Sequence, residues 1–139
     1  MKKNILFLLL ALVCSCSNSD NSTGSSSTSI NPPTWVQGYW LREVNVDGEV
    51  TDLQGLKATS NDFYFTQLGS GNSMKTLINN TLLSGGSVVV DEMINTTEYK
   101  LNIKFNESPY PQYYFKKITS TRIQFFDTAG VGGAFFIKQ

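Results

Sequence analysis

Thr97-Glu98-Tyr99-Lys100-Leu101-Asn102-Ile103-Lys104-Phe105 decides the fold class. Apolar Tyr99, Leu101, Ile103 and Phe105 alternate with polar Glu98, Lys100, Asn102 and Lys104. A period of two puts the first set on one face of a β-strand and the second on the other, as in a sheet with one buried face. The pattern extends in both directions. Residues 87–94, 112–118, 122–126 and 134–138 also read as strands. Asn95-Thr96, Asn106-Glu107-Ser108-Pro109, Thr119-Ser120-Thr121 and Ala129-Gly130-Val131-Gly132-Gly133 supply the turns between them.

Further upstream, residues 35–46 predict a strand with Tyr39, Leu41, Glu43 and Asn45 opposite Trp40, Arg42, Val44 and Val46. Asp47-Gly48 is a hairpin-type turn, and residues 49–53 form the return strand. Asp62-Phe63-Tyr64-Phe65-Thr66 is aromatic and β-prone, and Gly69-Ser70-Gly71-Asn72 breaks it. One segment departs from the pattern. Met74, Leu77, Ile78 and Leu82 recur at helical offsets, with Ser73 placed to cap the first turn and Gly85 to end the last. The expected fold is mainly β, a small antiparallel β-barrel or strongly curved sheet with one short helix. Barrel closure would remove exposed strand edges.

The chain opens with Lys2 and Lys3 followed by the uncharged apolar run 5–13, the layout of a secretory signal. That run is roughly half of the ~20 residues that a spanning helix needs. It ends in Val13-Cys14-Ser15-Cys16, which resembles a bacterial lipobox, with small Ser15 before the cysteine that is lipidated and becomes residue one. The resemblance implies a signal peptide over 1–15 and lipidation at Cys16. It also implies membrane attachment at the bacterial cell envelope, on the outer membrane. Acyl chains contribute about 0.8 kcal/mol per buried methylene, and more than one chain makes attachment stable. Residues 16–33 then read as the lipidated cysteine and a flexible Ser/Asn-rich tether, spanning roughly 20–25 Å as a coil. Pro32-Pro33 marks the start of a β domain over 34–139.

Trp35-Val36-Gln37-Gly38-Tyr39-Trp40, then Phe63-Tyr64-Phe65 and Tyr113-Tyr114-Phe115-Lys116-Lys117-Ile118, resemble lipocalin-like lipoproteins of Bacteroidota. Members of that group begin with Gly-x-Trp on the first strand and end in strands rich in Tyr and Phe. The resemblance implies a lipocalin-like barrel and supplies almost no chemistry.

Loss of Lys2 and Lys3 with the signal leaves nine basic residues against eleven acidic ones, and only Lys116-Lys117 are adjacent. Nucleic acid is not an expected partner. The chain has no His, and cleavage before Cys16 leaves no free thiol, so the expectation is a non-catalytic protein with no cofactor and no metal. Glu92 and Glu98 could meet across the hairpin at 94–96 as a weak cation site, against the plainer reading of a solvated hairpin face. The aromatic excess is the better lead. Tyr113-Tyr114-Phe115 alternates faces, so at least one ring points away from a one-sided core. Tyr110, Tyr113 and Trp40 are the candidate ligand-binding residues, for a small hydrophobic or carbohydrate ligand or a protein partner. The second reading is an inhibitor or immunity-type lipoprotein that inserts a loop such as 106–112 into an envelope enzyme. Asp127-Thr128-Ala129 resembles the O-glycosylation site of Bacteroidota exported proteins and makes Thr128 a candidate.

Overall fold

The computed structural model of the chain describes residues 25–44, 49–67, 70–126 and 133–139. The signal, Cys16, Asp47-Gly48 and Thr128 lie outside them. The described strands are β1 (Ser25–Ser27), β2 (Gly38–Glu43), β3 (Val50–Ala58), β4 (Phe63–Gln67), β5 (Ser70–Gly71), β6 (Val88–Ile94), β7 (Glu98–Phe105), β8 (Ser108–Pro109), β9 (Tyr113–Lys117), β10 (Arg122–Phe126) and β11 (Ala134–Lys138). The helix α1 (Met74–Leu83) lies between β5 and β6 in the chain. All pairings are antiparallel, in the order β1-β6-β7-β9-β10-β11-β2-β3-β4-β5, with β8 folded onto β7.

The period-two expectation for β7 holds: Tyr99, Leu101 and Ile103 are buried and Asn102 and Lys104 exposed. Because β11 pairs with β2, the meander that begins at β2 returns beside its own first strand. The sheet is curled. In a flat sheet, β4 and β10, four places apart, would lie roughly 19 Å from each other. Instead the rings of Phe65 and Phe125 sit 4.7 Å apart, and those of Phe63 and Tyr113, one strand further off, 4.9 Å. Curling stops short of closure, so the architecture is a half-barrel. β4 and β6, which closure would bring to the same seam, are instead bridged by α1. Met74 and Ile78 of the helix are buried, whereas Leu82, expected on the same apolar stripe, is 39% exposed.

Capping explains where the helix starts. The Ser73 hydroxyl accepts from the Thr76 N–H at 3.0 Å, as expected, and donates to Asp62 at 2.6 Å. The other Asp62 oxygen accepts the Lys75 N–H at 2.9 Å, so the β3–β4 turn also caps the helix. Gly85, at φ 80, supplies the left-handed residue that ends it.

The N-terminal boundary differs from the expected one. The tether was expected to run to Pro33, but from residue 25 onward the chain packs on the domain. β1 pairs with β6, and Ile30 is 1% exposed. Ile30 is the one large apolar residue of that stretch, and burying it offsets the entropy of ordering its polar neighbours. Asn31 donates to Glu92 through its backbone N–H at 2.8 Å and its side-chain amide at 3.2 Å. The chain then crosses one end of the half-barrel. There Trp35 donates to the Asn95 carbonyl at 3.2 Å, and Gln37 to the Pro32 carbonyl at 2.8 Å. Gly38, at φ 128, allows the sharp entry into β2 that brings Trp40 under Val36. Four other details differ. Residues 35–37, expected in the first strand, lie in a turn closed by the Val36 N–H on the Pro33 carbonyl, and β2 begins at Gly38. β3 runs on from the expected 49–53 to Ala58. Ser70–Gly71 and Ser108–Pro109, expected as loop and turn, each form a short strand.

Ile30→Ala is expected to lower stability by about 2–5 kcal/mol in urea denaturation, whereas Thr34→Ala at an exposed position should stay within about 0.5 kcal/mol. An Ile30→Ala midpoint equal to the wild type would show that residues 25–33 do not pack on the domain.

Candidate functional site

Inward-facing side chains fill the half-barrel unevenly. At the end crossed by residues 30–37, Trp40, Phe63, Tyr99 and Phe115 pack to full burial. Toward the other end, where β2 and β4 finish and β11 begins, a cavity of about 450 Å³ remains. Its size falls within the roughly 300–1,000 Å³ of small-molecule sites. Phe65, Tyr113, Phe125 and Phe136 line it with rings, and Arg42, Gln54 and Gln67 line it with polar groups.

Strand register explains this split. Trp40, Leu56 and Phe65 form one inward row across β2, β3 and β4. Two residues further along β2 comes Arg42, and the next inward row on β3 and β4 is Gln54 opposite Gln67. Between Leu41 and Arg42 the β2–β3 register shifts, which leaves residues 52–54 bulged and lets the Gln54 side-chain oxygen accept from Arg42. The cavity therefore has its polar groups on β2–β4 and its rings on β9–β11, with Phe65 of β4 completing the aromatic wall. Thr66 also lines the cavity, but its hydroxyl oxygen is buried and has no hydrogen-bond partner among the described residues. That oxygen lies over Gly55 on the outer face, beside Tyr39, where a Cβ on residue 55 would approach it to 2.6 Å.

Of the three candidates named from the sequence, Tyr113 lines the cavity. Tyr110 stands behind it, with ring centroids 6.1 Å apart, and packs edge-on to Phe105. Trp40 is not a contact residue. It is fully buried, and its indole N–H donates to the Val36 carbonyl at 2.7 Å, because its parity on β2 points it into the core. Burial, followed by a hydrogen bond with Tyr110, pushes the Tyr113 phenol above its ordinary range. Tyr99 is raised by burial first and then by Glu92, which accepts its hydroxyl at 2.6 Å.

The two carboxylates considered as a cation site do not meet. Glu92 is buried with Asn31 and Tyr99, whereas Glu98 faces outward and accepts the Tyr114 hydroxyl at 2.7 Å. That bond chiefly holds the Glu98 carboxyl below its usual value. No cluster of metal-ligating side chains exists among the described residues. Of Tyr113, Tyr114 and Phe115, the ring that turns away from the core is Tyr114. It stacks on Phe126 at 5.0 Å, with the Lys100 ammonium 4.7 Å from its centre. The loop considered for enzyme inhibition opens on a tight turn whose residues 106–109 are exposed. Asn106 and Glu107 take left-handed conformations, β8 pairs back on β7, and the Tyr110 N–H donates to the Ile103 carbonyl at 2.8 Å.

Sequence reasoning missed Arg42 and Gln54. The signal for Arg42 was available, since it shares the parity of Trp40. Comparison with protein-family models, curated proteins and solved structures finds no match to this chain.

A phenol whose folded pKa is raised keeps its stabilising contribution at and below its ordinary value of 10.0. That contribution is lost as pH rises further, because the unfolded chain ionises first. Tyr113→Phe should therefore shift alkaline unfolding to higher pH, with one late-ionising phenol fewer by ultraviolet difference titration. Loss of a phenol that ionises near the ordinary value of 10.0, with the late-ionising ones retained, would show that Tyr113 is not held in a buried site.

Proposed function

We propose that this protein is a lipid-anchored lipoprotein of the bacterial envelope whose lipocalin-like half-barrel binds a small, largely apolar ligand without catalysis. The observation that carries the reading is the cavity between Phe65, Tyr113, Phe125 and Phe136. Four rings converge there on space that the core leaves unfilled, while the neighbouring inward positions are packed to full burial. An apolar ligand gains roughly 25 cal/mol for each Å² of apolar surface it removes from water at such a site. The rings are already held by mutual edge and stacking contacts, so little ordering entropy opposes binding. The anchor rests on the signal-like run 5–13 and Cys16. Inhibition of an envelope enzyme is the second reading, and its loop folds back on β7 with residues 106–109 exposed.

Titration with the neutral dye N-phenylnaphthylamine is expected to give a saturable, one-to-one rise in emission. Ala134→Trp, which fills the cavity, should abolish the rise, and Phe126→Ala on the outer face should leave it intact. Absence of saturable binding by the wild-type chain would sink the ligand reading. The anchor is tested separately, by intact mass and membrane partitioning. The native protein should carry acyl mass and sediment with membranes, and Cys16→Ala should do neither. An unacylated, soluble native protein would overturn the anchor.

A further inference from the structure

We infer that the ligand of this cavity carries an anionic head, a carboxylate on an apolar body, with the Arg42 guanidinium as its counter-charge. The inference rests on the reading of the cavity as a ligand site and assigns the chemistry of that ligand. Arg42 occupies an inward position of the sheet. Its cross-strand partner on β11 is Phe136, 4% exposed, and Trp40, two residues before it, is fully buried. The Arg42 side chain is exposed, so water meets its charge at the mouth of the cavity. Its hydrogen-bond partner among the described residues is the Gln54 side-chain oxygen, a neutral group that aims the guanidinium without neutralising it.

Arg122 is the contrasting case. Glu43 takes both its Nε and its Nη2, at 3.0 and 2.7 Å, and its guanidinium carbon lies 4.1 Å from the centre of the Phe135 ring. That arginine has a structural partner. Arg42 has five N–H donors in a planar fork, of which Gln54 engages one, and a carboxylate takes two in parallel. Accepting from Arg42 also turns the Gln54 amide so that its N–H groups face away from Arg42. With the Gln67 amide opposite it on β4, they can supply donors to the same head group.

The body of the ligand is constrained by the facing wall. Phe65, Phe125 and Phe136 offer no polar atom, and Tyr113 offers one hydroxyl. A sugar, with polar groups around its whole rim, would leave most of them unpaired there. An alkyl or aryl chain matches the wall. A second depression of about 480 Å³ shares Arg42, Gln54 and Gln67 with the cavity and continues past them to Thr51, Leu53 and Glu43, whose carboxylate is paired with Arg122. The three polar side chains thus stand between two concave surfaces, where a head group meets them with its chain against the rings.

The test is calorimetric titration of the purified full-length protein with decanoate, decanol and decyltrimethylammonium, three probes that share one chain and differ in head charge. Decanoate is expected to bind tightest and the cation weakest. Arg42→Ala should weaken decanoate by about 10- to 100-fold and decanol by far less, and the retained decanol binding shows that the variant folds. Arg42→Lys should recover part of the loss, because it keeps the charge and loses the fork. Equal binding of decanoate and decanol, unaffected by Arg42→Ala, would overturn the head-group assignment and leave the apolar site standing. Failure of all three probes to bind would overturn the ligand reading itself.

Discussion

The packing of the β4 rings against those of β9 and β10 is the contact on which the rest of this structure depends. Phe63 meets Tyr113 and Phe115 edge-on, and Phe65 lies against Tyr113 and Phe125. Each such pair adds only about 0.5–1.5 kcal/mol beyond its area. Together they hold strands four and five places apart within ring contact, which a flat sheet cannot do. The curl has a consequence at the seam. Where β4 and β6 would have to pair for closure, α1 supplies Met74 and Ile78 instead, and apolar packing replaces a backbone ladder.

The same rings form the apolar wall of the cavity, so curvature and cavity wall come from one set of side chains. Phe65 illustrates the coupling. It belongs to the seam that rolls the sheet and also lines the space that the roll encloses. The polar wall is built differently. Arg42, Gln54 and Gln67 sit one inward row beyond Trp40, Leu56 and Phe65, past the register shift in β3. They lie outside the apolar core, and their placement follows from strand parity and the bulge.

A second anchor point secures the N-terminal segment. Glu92, at an inward position of β6, would be an unfavourable charge in the core if left alone. It receives the Tyr99 hydroxyl and two N–H groups of Asn31. One carboxylate therefore ties the entering chain to the β6–β7 hairpin, with Ile30 buried beside it and Trp35 fastened to the turn of the same hairpin. This end of the half-barrel is filled by the entering chain, and the vacant space lies toward the other.

Much of this was legible in the sequence, and what was legible is local. The alternation from Glu98 to Phe105, the Ser73 cap and the helix after it, and an outward ring among Tyr113, Tyr114 and Phe115 each follow from spacing along a few residues. Tyr113, named for the aromatic excess, lines the cavity. What the sequence left open depended on partners far away in the chain. Ser25 to Ser27 form a strand because β6 presents an edge to them, and Ile30 reaches the core where Glu92, itself held by the Tyr99 hydroxyl, accepts from Asn31. Trp40 was legible as inward, but whether an inward ring faces ligand or core depends on which strands lie opposite. Tertiary structure alone decided that one end of the half-barrel is packed and the other vacant. The volume enclosed by a curled sheet is set by side chains from strands that never neighbour one another in sequence.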